Sequence, residues 1–151
     1  MRILLTIVMG AMLACAADPF YIGTWKIDSA TTAPWADAQR TPLLSEKQAL
    51  VGKTVVIAAK EITGPRQVAC KGPHYEVKDY SADMLFQGSF GEMHERDKNV
   101  DPVKVAAKAG FKGTSWKTLE TGCAMEIDFH FADPKTAMFG LNNVIYVLKK
   151  Q

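Results

Sequence analysis

Between Cys123 and Phe131 the odd positions are Cys, Met, Ile, Phe and Phe, whereas Glu126, Asp128 and His130 occupy even ones. Side chains of a strand alternate between its faces, so this spacing predicts a strand with one dry and one wet side. Asp133-Pro134 predicts a turn after it. Asn142-Asn143 predicts a second, because Asn tolerates the left-handed backbone of a tight hairpin. The end of the chain, Cys123 to Lys150, therefore reads as a three-stranded antiparallel meander.

The rest of the pattern is also mostly β. Phe20 to Ala30 predicts a first strand, Lys53 to Lys60 a second, Arg66 to Cys70 a third, His74 to Tyr80 a fourth and Trp116 to Thr121 a fifth. Gly64-Pro65 and Gly72-Pro73 separate them. Two short helices interrupt the series. One runs from Pro42 to Val51, with Ser45 and Gln48 as a capping box and Gly52 as its stop. The other starts at Asp101-Pro102, Asp as N-cap, and ends at Gly110. Ser81 to Asn99 is the least regular stretch, and a long connection in a small domain is either functional or mobile. The expected fold is mainly β: an antiparallel barrel of about eight strands with two short helices in connections. Closure removes exposed sheet edges.

The first residues stand apart from this pattern. Arg2 is followed by the apolar run Ile3 to Leu13 and then by Ala14-Cys15-Ala16-Ala17. Residues 1–17 thus read as a secretory signal peptide cleaved near Ala16-Ala17, and residues 18–151 as a single domain in the periplasm or outside the cell. The alternative is lipoprotein processing and a lipid anchor at Cys15, preceded by Met12-Leu13-Ala14. Of the 18 bases only Arg2 lies in the leader, so the remaining chain stays close to neutral against 16 acids. That balance gives no case for nucleic acid, and no second apolar run is long enough to span a bilayer. Cys70 and Cys123 remain. In an oxidising compartment they read as a disulfide, with redox chemistry or metal ligation as the competing reading.

Gly23-Thr24-Trp25, on the first strand and soon after the leader, resembles the opening motif of the lipocalins and the wider calycins. Lys78-Asp79-Tyr80 is similar to their second motif. The resemblance implies an eight-stranded barrel with Trp25 closing one end. Two features depart from it: the helix near Val103 interrupts the strand meander, and no helix follows the last strand. Gly-Thr-Trp is also similar to small envelope lipoproteins of the META type, but their Ser-Gly-Cys-Asn motif is absent.

Candidate chemistry is sparse. Glu126, Asp128 and His130 share a predicted wet face, but same-face neighbours on a strand lie about 7 Å apart, too far for one ion to take all three unaided. The competing reading is the wetted outside of a barrel, which makes His130 dispensable for folding. Glu92 to Asp97 with His94 is a further candidate that also reads as solvated surface, and His74-Tyr75 beside Cys70 is a third. No Gly-x-Ser-x-Gly, His-Glu-x-x-His or phosphate-binding glycine loop occurs. The expectation is a non-enzymatic binding protein without metal or cofactor. It would hold a small apolar ligand inside the barrel, lined by Trp25, Met125, Ile127, Phe129, Phe131 and Tyr146. The alternative is an envelope protein-interaction module, such as a hydrolase inhibitor, acting through Trp35, Phe86 and Phe90 in its loops. An enzyme of unidentified chemistry is the third reading.

Overall fold

The computed structural model describes residues 18–151. The expected signal peptide and a lipid anchor at Cys15 lie outside them. Nine strands form one antiparallel sheet: β1 (Gly23–Thr32), β2 (Thr54–Ile57), β3 (Glu61–Thr63), β4 (Cys70–Lys71), β5 (Glu76–Ser81), β6 (Ser115–Glu120), β7 (Phe129–Asp133), β8 (Thr136–Leu141) and β9 (Val144–Lys150). Their spatial order is β4-β3-β2-β1-β9-β8-β7-β6-β5. The first and last of these strands thus pair in the middle of the sheet, Trp25 opposite Lys150 through to Thr32 opposite Val144. An up-and-down barrel has this cyclic order with one more ladder, between β4 and β5. Among the described residues that ladder is missing, so the sheet is a half-barrel with an open seam.

Side-chain bonds span the seam where the ladder does not. The Cys70–Cys123 disulfide joins β4 to the segment after β6, with Cα atoms 6.0 Å apart. Tyr75 Oη, just before β5, donates to the carbonyl of Ala58, just after β2, at 2.8 Å. The disulfide fits an oxidising, extracellular or periplasmic setting. Among the described residues no helix is long and apolar enough to cross a membrane.

Alternation builds the inner face. On β1, Trp25 and Ile27 are buried while Thr24, Lys26 and Asp28 are exposed. The inner core joins them to Val55, Ile57, Ile62, Leu119, Phe129, Phe131, Phe139, Tyr146 and Leu148. Each such side chain taken fully out of water contributes about 1.5–3 kcal/mol. One end is capped by the residues just before β1. Phe20 packs on Phe131 with ring centres 4.8 Å apart, Tyr21 on Tyr75 at 5.3 Å, and the Trp25 indole donates to the Tyr21 carbonyl at 3.0 Å.

Helices α2 (Leu85–Arg96) and α3 (Pro102–Lys108) cover part of the outer face, whereas α1 (Leu44–Gln48) lies at the mouth of the inner face, its Glu46 carbonyl bonded to Tyr146. Asp101 caps α3 as expected, its Oδ1 accepting the Val103 amide at 2.9 Å. The start of α1 is held differently from the expected Ser45–Gln48 box: Glu46 Oε2 reaches back to the Leu43 amide at 2.8 Å. A second core, with Ala82, Leu85, Phe86, Phe90, Ala106, Phe111 and Trp116, packs α2 and α3 on Met138 and Ile145.

Four expectations need correction. There are nine strands, not about eight, and the sheet is open. Ser81 to Asn99 is not a loop; it carries α2, which glycines at 88 and 91 disguise. Gly91 sits where an added Cβ would meet the Asp83 carbonyl oxygen at 2.9 Å, so it marks a close approach within a helix. Arg66 to Cys70 contributes only Cys70 to a strand. Finally, Cys123 to Asp128 is a turn with Glu126 at φ +50°, and the strand starts at Phe129.

Candidate functional site

Of the residues expected to line a ligand cavity, Trp25, Ile127, Phe129, Phe131 and Tyr146 are buried in the inner core. They pack on one another: Phe129 on Phe139 at 5.8 Å, Phe139 stacked on Tyr146 at 5.1 Å, Trp25 edge-on to Phe131 at 5.6 Å. Met125 does not join them. It lies in the turn before β7 and is 55% exposed.

A cleft of about 750 Å³ opens instead at the mouth of the half-barrel, away from the Phe20–Tyr21 cap. Three parts of the chain build it. The segment Arg40 to Leu50 forms one wall, the β8–β9 turn Leu141 to Val144 the other, and Gln67 and Tyr146 complete it. The walls are tied together. Tyr146 Oη donates to the Glu46 carbonyl at 2.9 Å, and Asn143 Nδ2 to the Arg40 carbonyl at 3.3 Å. Asn142 turns the chain at φ +54°, and its carbonyl accepts the Trp35 indole at 3.3 Å. Leu50, Val144, Pro42 and Leu141 give the cleft apolar surface, and Thr41, Gln67, Asn142 and Asn143 give it neutral hydrogen-bonding groups. Two charges line it. Glu46 caps its own helix. Arg40 takes part in no ion pair among the described residues. Beside the cleft Leu43 and Leu44 are 67% and 65% exposed.

The three aromatics expected as loop contacts form one stack. Phe86 and Phe90 are buried, and Trp35 is half-buried on them, at 5.2 and 5.8 Å. Phe86 and Phe90 therefore present no free surface to a partner.

His130 departs most from its expected place. It is fully buried, because the outer face of β7 lies beneath α2. Its Nε2 accepts the Phe86 amide at 3.0 Å, so the neutral ring carries its proton on Nδ1 and donates to Thr118 Oγ1 at 2.8 Å. Burial pulls its pKa down to about 3. The residue it holds is strained: Phe86, Gln87 and Gly88 are left-handed in succession, at φ +53°, +55° and +79°. That conformation costs a non-glycine residue roughly 1–2 kcal/mol.

Beside this turn is a hollow of about 300 Å³ lined by Gln87, Glu120, Gly122, Cys123, Glu126 and Asp128. Gln87 Nε2 donates to the Glu126 carbonyl at 3.0 Å, so two left-handed residues meet there. The carboxyls differ. Glu120 accepts from Lys78 Nζ at 2.7 Å and Tyr80 Oη at 2.6 Å, which hold its pKa below the usual range. Burial pushes Asp128 up to about 6, the charges of Glu120 and Glu126 add to it, and a backbone hydrogen bond from Thr121 opposes it. A carboxyl raised from 3.8 to about 6 contributes stability that is complete below pH 3.8 and lost as pH rises through 6. Asp128→Asn stays neutral throughout. It is expected to melt at a higher temperature than wild type near neutral pH, with the difference vanishing below pH 3.8. Equal melting at both pH values would remove Asp128 as a titrating group.

The remaining polar candidates are dispersed. His94 bonds the Val100 carbonyl at 2.7 Å, and Glu92 and Glu95 pair with Arg96 and Lys98 on α2 and the residues after it. His74 is exposed against Gly122. Among the described residues no three His, Cys, Asp or Glu side chains converge so as to hold a metal ion. The mouth cleft was not legible in the sequence, because its walls come from segments about a hundred positions apart with no shared spacing. Comparison with protein-family models, curated proteins and solved structures returned no match to this chain.

Proposed function

We propose that the protein is a non-enzymatic binding protein of the periplasm or extracellular space that takes a small amphipathic ligand at the mouth of its half-barrel. The apolar part of the ligand would lie on Leu50, Leu141 and Val144. An anionic end would meet Arg40, with Gln67, Asn142 and Asn143 as hydrogen-bonding partners. The observation that carries this reading is the mouth cleft itself: about 750 Å³, partly apolar, lined by Arg40, a cation without an ion pair among the described residues. Binding clefts for small molecules fall in this size range and favour the mouths of β-barrels. The relationship to lipocalins remains part of this proposal, resting on Gly23-Thr24-Trp25 and the cyclic order of the strands.

Calorimetry with octyl sulfate below its micelle concentration tests the reading. One molecule per chain is expected to bind. Both Arg40→Ala and replacement of the probe by 1-octanol should weaken binding about tenfold, the loss of one charge-assisted contact of about 1.4 kcal/mol. Binding that ignores Arg40→Ala but is lost in Phe129→Ala would move the ligand into the interior. A second reading, docking of another protein, is favoured by Leu43 and Leu44, two adjacent exposed leucines beside the cleft. Absence of octyl sulfate binding would transfer the assignment to it.

A further inference from the structure

The strained turn at Phe86 is connected to the mouth cleft by an unbroken line of contacts. Phe86 gives its amide to His130 and packs its ring on that imidazole, with centres 4.8 Å apart. The same ring lies 5.2 Å from that of Trp35. Both rings rest on Gly140 of β8, where an added Cβ would come within 3.2 Å of Phe86 and 3.4 Å of Trp35. The Trp35 indole then holds the carbonyl of Asn142, a residue of the cleft wall. The residue before Trp35's neighbour Pro34 adds a second tie: the Ala33 amide donates to the Asn143 carbonyl at 2.9 Å.

We propose that His130, Phe86 and Trp35 form an acid-released latch on the mouth cleft. Neutral His130 holds the left-handed turn shut through Nε2. A proton taken from solvent onto Nε2 places two donors against each other across the same 3.0 Å, so the Phe86 amide must leave. Phe86 then relaxes from its strained conformation, the stack on Gly140 loosens, and the Asn142 wall loses its support. The inference rests on reading the mouth as the binding site and adds its regulation.

The sign follows from burial. Closed, the imidazole has its pKa lowered from 6.5 to about 3; once the latch opens and water reaches it, the ordinary value returns. Acid below pH 6.5 therefore favours the open form progressively, and the closed form is fully stable above it. The groups facing His130 are few. From β5 the Tyr80 ring lies tilted at 5.8 Å, its hydroxyl pushed up to about 12 by burial and by its bond to Glu120, so it stays neutral in acid. From β6 comes Thr118, with Glu120 two positions on; from α2, Phe86; from β8, Met138. In the turn before its strand, Asp128 precedes it by two residues and titrates in the same window, at about 6.

His130→Gln tests the latch, because its amide can accept from Phe86 and donate to Thr118 without titrating. The reporters are the Trp35 indole proton by NMR and octyl sulfate affinity by calorimetry, both followed as pH falls. In wild type and in Asp128→Asn the indole signal is expected to shift in acid, with affinity falling at least about tenfold while far-ultraviolet circular dichroism holds. In His130→Gln both readouts should stay at their neutral values. An acid transition unchanged in His130→Gln overturns the proposal. So does a wild-type transition at Trp35 during which the His130 ring, followed by its own NMR signals, stays neutral; that measurement needs no variant. The two readings fail separately. An indole shift abolished by His130→Gln in a protein that binds no octyl sulfate keeps the latch and removes the binding site. Octyl sulfate binding that does not change with pH keeps the site and removes the latch.

Discussion

Phe129→Ala is expected to lower unfolding stability by about 3–5 kcal/mol, measured as a shift of the urea midpoint with little change in slope. Phe129 is 1% exposed on the inner face of β7 and meets Phe139 edge-on, while Phe139 stacks on Tyr146. Removing its ring deletes the middle of the inner core. Neighbours on three paired strands cannot all move inward to fill the space, so the cost is the transfer term plus that of a residual cavity. If the interior were instead a ligand chamber, the same substitution would cost well under 2 kcal/mol and alter ligand uptake. The outcome therefore separates a filled interior with a site at the mouth from the cavity that alternation alone suggests.

Alternation was a good guide wherever one face of the sheet meets solvent. The first strand was legible from its β-rich content, and within it Trp25 and Ile27 are buried while Lys26 and Asp28 are exposed. The turns at Asp133-Pro134 and Asn142-Asn143 and the cap at Asp101 were legible because each rests on local chemistry of one or two residues. The Cys70–Cys123 bridge was legible by count. Alternation misled where both faces are covered. His130 occupies a polar position in the pattern, yet α2 lies over it. The warning was in the next strands: Ala137-Met138-Phe139 and Val144-Ile145-Tyr146-Val147-Leu148 are continuous apolar runs, the mark of a strand buried on both sides. Beyond the left-handed turn Phe90 and Met93 stand three positions apart, a helical spacing obscured by the glycines that made the stretch read as a loop. Neither the strained turn nor the mouth cleft leaves a local signature. The first is held by long-range hydrogen bonds, 44 and 39 positions apart, and the second depends on walls brought together by the β1–β9 pairing.

Replacing both Cys70 and Cys123 by Ser is expected to remove about 4 kcal/mol of stability, because the bridge closes a loop of 53 positions in the unfolded chain. That is a large share of the roughly 5–15 kcal/mol that holds a domain of this size. The native state should nonetheless survive near neutral pH. The seam that the bridge spans is also crossed by Tyr75, whose Oη donates to the Ala58 carbonyl and whose ring lies 5.3 Å from that of Tyr21, contacts that the substitution leaves in place. The dependence on denaturant carries the physical content. If the bridge acts mainly by compacting the unfolded ensemble, the variant should show a steeper urea slope as well as a lower midpoint, since its unfolded chain exposes more surface. If the bridge acts mainly by holding the half-barrel together, the slope should stay or fall. The native state would then also change, with the amides of β4 and of Glu76 to Lys78 exchanging faster as β4 and β5 part. Faster exchange confined to those amides would make the disulfide a stitch in the missing ladder; uniform acceleration in step with the lost stability would assign its effect to the unfolded chain.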